Sequence, residues 1–220
     1  MNTEERLANL ERELADLKGE LAKRVRTAAV EVVDENGKSR AVLTVGEDGA
    51  GLSLFDGTGT RRVGLTVKKD GAGLSLYDEE GKPRALMSVA KDGPGLYLSD
   101  ENGKCRAGLT ATKNGPSLDL FDENEKLRAM LRMAKGRSLL ALSDENGKLR
   151  GGLVVGKGGS SLTLFDENEK LRAMLGMAKH GSLLSLFEEN GKSCALLTAE
   201  EDGPRLRLCD ENGKATWQTP

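Results

Sequence analysis

An acidic residue recurs nine times at a spacing of 22, as Asp34, Asp56, Asp78, Asp100, Asp122, Asp144, Asp166, Glu188 and Asp210, with no insertion or deletion between them. A fixed period in this range marks stacked copies of one supersecondary unit, each unable to bury its apolar face without neighbours. Composition agrees with that constraint. The 220 residues include 28 Gly but only one Trp, two Tyr and four Phe, so the core must be aliphatic and repetitive rather than that of an ordinary globular domain.

From about Ala28 the apolar residues alternate, as in Gly-Leu-Ser-Leu-Phe-Asp at 51–56 and Arg-Val-Gly-Leu-Thr-Val at 62–67, which predicts two strands per repeat. Two kinds of turn separate them, first seen as Asn36-Gly37 and Asp48-Gly49. Both pairs suit the two central positions of a type I′ hairpin, and about seventeen such turns imply about eighteen strands in one antiparallel meander. Centring a turn on Asn36-Gly37 pairs Val33 with Arg40, Val32 with Ala41 and Val30 with Leu43; centring one on Asp48-Gly49 pairs Val45 with Leu52 and Leu43 with Leu54. Either choice places Val30, Val32, Leu43, Val45, Leu52 and Leu54 on the same side of the sheet. Glu125 and Glu169 replace the turn glycine, and a positive φ would strain them, so those two turns are expected to relax to another type.

The apolar side carries unbroken ladders. One runs Leu52, Leu74, Leu96, Leu118, Leu140, Leu162, Leu184 and Leu206, and another lies two residues further on at each step, from Leu54 to Leu208. The partner strands add Leu43, Leu65, Met87, Leu109, Leu131, Leu153, Leu175 and Leu197. On the opposite side Arg40 begins a series continued by Arg62, Arg84, Arg106, Arg128, Arg150 and Arg172, several placed opposite an aromatic such as Phe55, Tyr77, Phe121 or Phe165. This series is the candidate outer binding face. Its structural reading is a solvated surface of cation–π and ion-pair contacts. Cross-turn pairs such as Glu35 with Lys38, Glu101 with Lys104 and Glu145 with Lys148 are expected to add roughly a few tenths of a kcal/mol each.

Residues 1–27 read differently. Asn2 and Glu5 form a capping-box-like start, and Leu7, Leu10, Leu14, Leu17 and Leu21 alternate spacings of 3 and 4, the seam of a coiled coil. Under three heptads, it is too short to hold chains together alone. It is expected to clamp something larger, which divides the chain into a coiled-coil helix at 1–27 and a repeat domain at 28–220.

A meander of eighteen strands would be roughly 85 Å long, with one face of Leu and Val far larger than a soluble monomer exposes. Closing it into a barrel with the leucines inside would leave a channel those side chains could not fill. A lipid-facing barrel would need aromatic girdles, which are absent from the sequence. Three chains laying their apolar faces together around a threefold axis satisfy both the ladders and the coiled coil, so the expected fold is mainly β: a short helix followed by nine hairpin repeats in a homotrimeric prism. In plan this is similar to the trimeric fibres of phage tails and viral shafts, where a short coiled coil leads into a long repetitive β shaft with Gly-containing turns. The resemblance is one of plan and pattern, and it implies a non-enzymatic structural role as a fibre or spacer.

Chemistry finds little foothold. The single histidine, His180, sits at a turn, and no Cys/His spacing fits zinc. The turn Asp34-Glu35-Asn36-Gly37 lacks the spacing of an EF-hand, and Gly156-Lys157-Gly158-Gly159 does not open a helix as a phosphate loop must. No catalytic, cofactor or metal residues are therefore expected. Cys105, Cys194 and Cys209 are odd in number and read as free thiols. Lys plus Arg (33) nearly balance Asp plus Glu (35), so neither nucleic acid nor an anionic membrane is an expected partner. The start Met-Asn-Thr-Glu-Glu lacks a signal-peptide pattern, which fits cytoplasmic synthesis, including that of a phage or surface particle. The expected partner is the chain itself. The alternative function is an adhesin or receptor-binding module using the outer Arg face or the C-terminal cap around Trp217.

Overall fold

The computed structural model describes residues 3–21, 29–179 and 181–219. It consists of one helix, α1 (Thr3–Leu21), and eighteen strands from β1 (Ala29–Val33) and β2 (Ser39–Gly46) to β17 (Gly203–Cys209) and β18 (Ala215–Gln218). Each strand pairs antiparallel with its sequence neighbours in a single open sheet. The helix follows from good helix formers and from acidic Glu4 and Glu5 in its first turn with Lys18 in its last, which complement the helix dipole. Asn2, the expected cap, lies outside the described residues.

The two turn types differ from expectation in instructive ways. At the first, the Gly37 N–H donates to the Asp34 carbonyl (2.9 Å), and the Asp34 N–H to that of Lys38 (2.9 Å), with Gly37 at φ 75°. That is a type I turn followed by a left-handed residue, the three-residue loop with a G1 bulge, not type I′. The bulge moves Val33 onto Ser39 instead of Arg40, while Val32–Ala41 and Val30–Leu43 pair as expected. At the second, Glu47 and Asp48 are the loop residues and Gly46 pairs with Gly49. The register there is Leu43–Leu52 and Val45–Ala50, two residues from the expected Leu43–Leu54 and Val45–Leu52. A shift of two preserves the face of every side chain, so the apolar side survives the correction.

Gly49 (φ 138°) explains why the second turn takes this form: a Cβ there would stand 1.9 Å from the Val67 carbonyl oxygen. Only glycine can enter the next strand so close to its neighbour. Where Arg137 takes that place, Lys135 and Gly136 both adopt positive φ (46° and 76°), and the turn switches to the type I′ pattern. Glu125 and Glu169 do not relax. They hold φ 61° and 60° with the same Asp-carbonyl hydrogen bond as their glycine counterparts, because the clasp described below over-determines the loop.

Candidate functional site

The most distinctive surface is the apolar face, built as three parallel rows. The ladders beginning at Leu43 and Leu52 merge into one central row, Val30–Leu43–Leu52–Leu65–Leu74–Met87–Leu96–Leu109–Leu118, which continues in register to Leu206. Beside it, the second row alternates large and small: Leu98, Ala107, Leu120, Ala129, Leu142, Gly151 and Leu164 are successive cross-strand partners. Trp217 ends that row opposite Leu208, in the position Ala195 holds one repeat earlier. The third row alternates with the opposite phase, as in Val67, Ala72, Val89 and Pro94 and in Met133 and Ser138, but it stays small at Pro94, Ala111 and Pro116. Most strands thus carry two large residues and one small one, the small one changing side from strand to strand; the exceptions include Val63, Leu65 and Val67, all large, and Ala107, Leu109 and Ala111 and Ala195, Leu197 and Ala199, each with two small residues.

No second layer covers these rows. Among the described residues no hydrophobic side chain is fully buried, and Leu43, Leu109 and Leu142 are 45%, 50% and 50% exposed. The accessible surface is 16007 Å², against about 9,800 Å² expected from size scaling for a compact monomer of this mass. A hollow opens on the face where the third row narrows to Pro94, Ala111 and Pro116, beside Met87, Leu96 and Leu109.

The acidic residues of the 22-residue period form a clasp. Asp122 Oδ1 accepts from the backbone N–H of Asn124 (2.9 Å) and of Lys126 (2.9 Å), while its Oδ2 faces Arg128 Nη1 at 3.2 Å. The same Asx turn recurs at Asp34, Asp56, Asp78, Asp100, Asp144, Asp166 and Asp210. The arginine six residues on pairs with the turn aspartate at Arg62, Arg84, Arg106, Arg150 and Arg172, over 3.3–3.9 Å. Arg84 and Arg128 also donate through Nε to the Ser99 and Ser143 carbonyls. The result is seven carboxyls held below the usual aspartate value. At Asp122 the first cause is the Lys126 N–H, and at Asp56 it is the Thr58 hydroxyl. At Asp100 and Asp144 desolvation pushes upward, but the backbone N–H groups and Arg outweigh it.

Sequence reasoning located the Arg ladder and expected ion pairs from it, but missed the pairing of each arginine with the aspartate six residues earlier. In the ninth repeat Asp210 stays although Thr216 replaces Arg, whereas in the eighth both partners change together, Glu188 for Asp and Cys194 for Arg. There Asn190 takes over, accepting from the Lys192 N–H (2.8 Å) and donating to Glu188 (3.2 Å).

Other side chains fall outside the expected pairs. Lys82, Lys104 and Lys148 reach across to the carbonyls of Glu101, Glu123 and Glu167 in the next repeat's turn (3.0, 2.6 and 2.8 Å), and Lys82 also pairs with Glu80 of its own turn at 3.3 Å. The cation–π contact found is Arg61 over Tyr77 at 5.0 Å; the bulge puts Arg61, not Arg62, opposite Phe55. Leu7, Leu10, Leu14 and Leu17 of α1 are all more than half exposed, and the side chain of Leu21 lies outside the described residues, as does His180. Cys105, Cys194 and Cys209 are free and half-buried. Among the described residues no carboxylate, cysteine and histidine cluster could hold a metal ion, and no helix is long and apolar enough to cross a membrane. Neither a known family nor a curated protein matches this sequence.

Proposed function

We propose that the chain is a non-enzymatic structural protein, three copies of which lay their apolar faces together around one axis to form an elongated β-prism that serves as a fibre or spacer. The observation that carries this reading is the uncovered apolar face, continuous from β1 to β18. A soluble monomer tolerates contiguous apolar patches of only a few hundred Å², and each half-exposed leucine withdrawn from water contributes roughly 1 kcal/mol. The rows favour three copies over two. The central row is Leu or Met throughout β2–β17, whereas both flanking rows alternate with Ala, Ser, Pro or Gly, so side-chain bulk falls off toward the margins. A triangular interior tapers in that way toward its vertices, while a flat two-sheet sandwich calls for uniform thickness. The exposed leucine stripe of α1 supplies a short parallel clamp at one end.

Light scattering coupled to size exclusion tests the reading. It calls for a mass near three chains with an elongated small-angle scattering profile. A compact particle of one 23.5 kDa chain overturns it, because the sheet would then have to cover its own leucines.

A further inference from the structure

Resting on that trimeric reading, we propose that neighbouring copies meet along oppositely charged margins: the Asp-Glu-Asn-Gly turn margin of one chain lies against the lysine turn margin of the next, all chains parallel and in register. The meander sends every three-residue loop to one long margin of the sheet and every two-residue turn to the other. On the first margin the six turn aspartates from Asp56 to Asp166 are tied to arginine, and Lys82, Lys104 and Lys148 are tied to carbonyls of their own chain. The charges left over are exposed glutamates such as Glu101, Glu123, Glu145 and Glu167. On the second margin Lys69, Lys91, Lys113, Lys135 and Lys157 are exposed and form no ion pair among the described residues. Lys126 and Lys170 share the first margin, and Asp70 and Asp92 sit beside Lys69 and Lys91 on the second, so the opposition of sign is clearest between Glu101 to Glu169 on one margin and Lys113, Lys135 and Lys157, whose turns hold no carboxylate, on the other.

Symmetry decides how they can meet. Rotation about the long axis brings the left margin of one copy against the right margin of the next, so acid meets base at every vertex. A twofold axis across the rod would set like margins together and oppose acid to acid. At the N-terminal end the turn Glu47-Asp48 is acidic and stands in level between the loop that carries Glu35 and the loop Asp56-Gly57-Thr58-Gly59-Thr60, which carries no glutamate, so the complementary charges lie in the middle repeats, from Lys113 to Lys157. At the other end the Glu201-Asp202 turn is neutralised in part within its chain by Arg205.

The test is zero-length carbodiimide coupling of the full chain, which joins a lysine to a carboxylate only at ion-pair distance. A mixture of ¹⁵N-labelled and unlabelled protein, refolded together, identifies intermolecular products by mass spectrometry. The expected products link Lys113 to Glu101 or Glu123, Lys135 to Glu123, Glu125 or Glu145, and Lys157 to Glu145, Glu167 or Glu169. Links between repeats further apart, or lysine-to-carboxylate links found only within chains, overturn the margin contact while a three-chain mass leaves the prism standing. A one-chain mass overturns both.

Discussion

At the scale of single residues the decisive group is the turn aspartate, which substitutes for backbone partners the loop cannot supply and fixes the arginine that follows. Because the seven aspartates from Asp34 to Asp166 have folded values below the ordinary one, the unfolded chain binds more protons than the folded chain as pH falls past about 4. The stability they supply is therefore complete above the ordinary carboxylate value and is lost as pH falls toward their lowered values. Thermal melts should be level from about pH 7 to 5 and fall steeply below about 4; a melting temperature constant down to pH 2.5 would contradict this. Glu125 gives a second residue-scale prediction. Held at φ 61°, it bears a steric cost that glycine does not, so Glu125→Gly should raise unfolding stability by about 0.5–1 kcal/mol in denaturant titration, and a loss would show that its side chain compensates for the strain.

At the scale of the hairpin the two turns have different tolerances, which makes them separable by experiment. Gly115 enters its strand at φ 109° with the Met133 carbonyl oxygen 1.8 Å from where a Cβ would be, whereas nothing lies within 4 Å of a Cβ at Gly158. Gly115→Ala should cost about 2 kcal/mol or more, combining strain with displacement of the next strand, and Gly158→Ala should be close to neutral; equal midpoints in chemical denaturation would refute the account. Element existence, strand number and the apolar face were legible in the sequence because period-2 alternation and the 22-residue repeat are independent signals of the same sheet. The turn types were not. Asn-Gly and Asp-Gly suit type I′ locally, but the Asp34 carboxylate rewards a three-residue loop, and the close approach at Gly49 reserves that glycine for the strand rather than the turn. The Asp–Arg clasp was hidden for a related reason: a spacing of six has no meaning until the bulge brings the two side chains to one place.

At the scale of the whole molecule the chain is a one-dimensional array, in which each strand touches only its neighbours in sequence and stability is a sum of repeat and interface contributions. Removal of residues 101–122, one full period, joins Asp100 to Glu123 and restores the sequence Asp-Glu-Asn with both turn types still in alternation. The three rows, the margins and the Asp–Arg spacing all stay in phase, so nothing in the rest of the sheet has reason to rearrange. The sheet should shorten by two strand spacings, roughly 10 Å, with the number of chains per particle unchanged. Small-angle scattering of the deleted and intact proteins reads the maximum dimension directly. A collapse in particle mass, or an unchanged length, would mean that the repeats are not equivalent along the axis and that some particular level of the array, rather than the continuous face, holds the chains together.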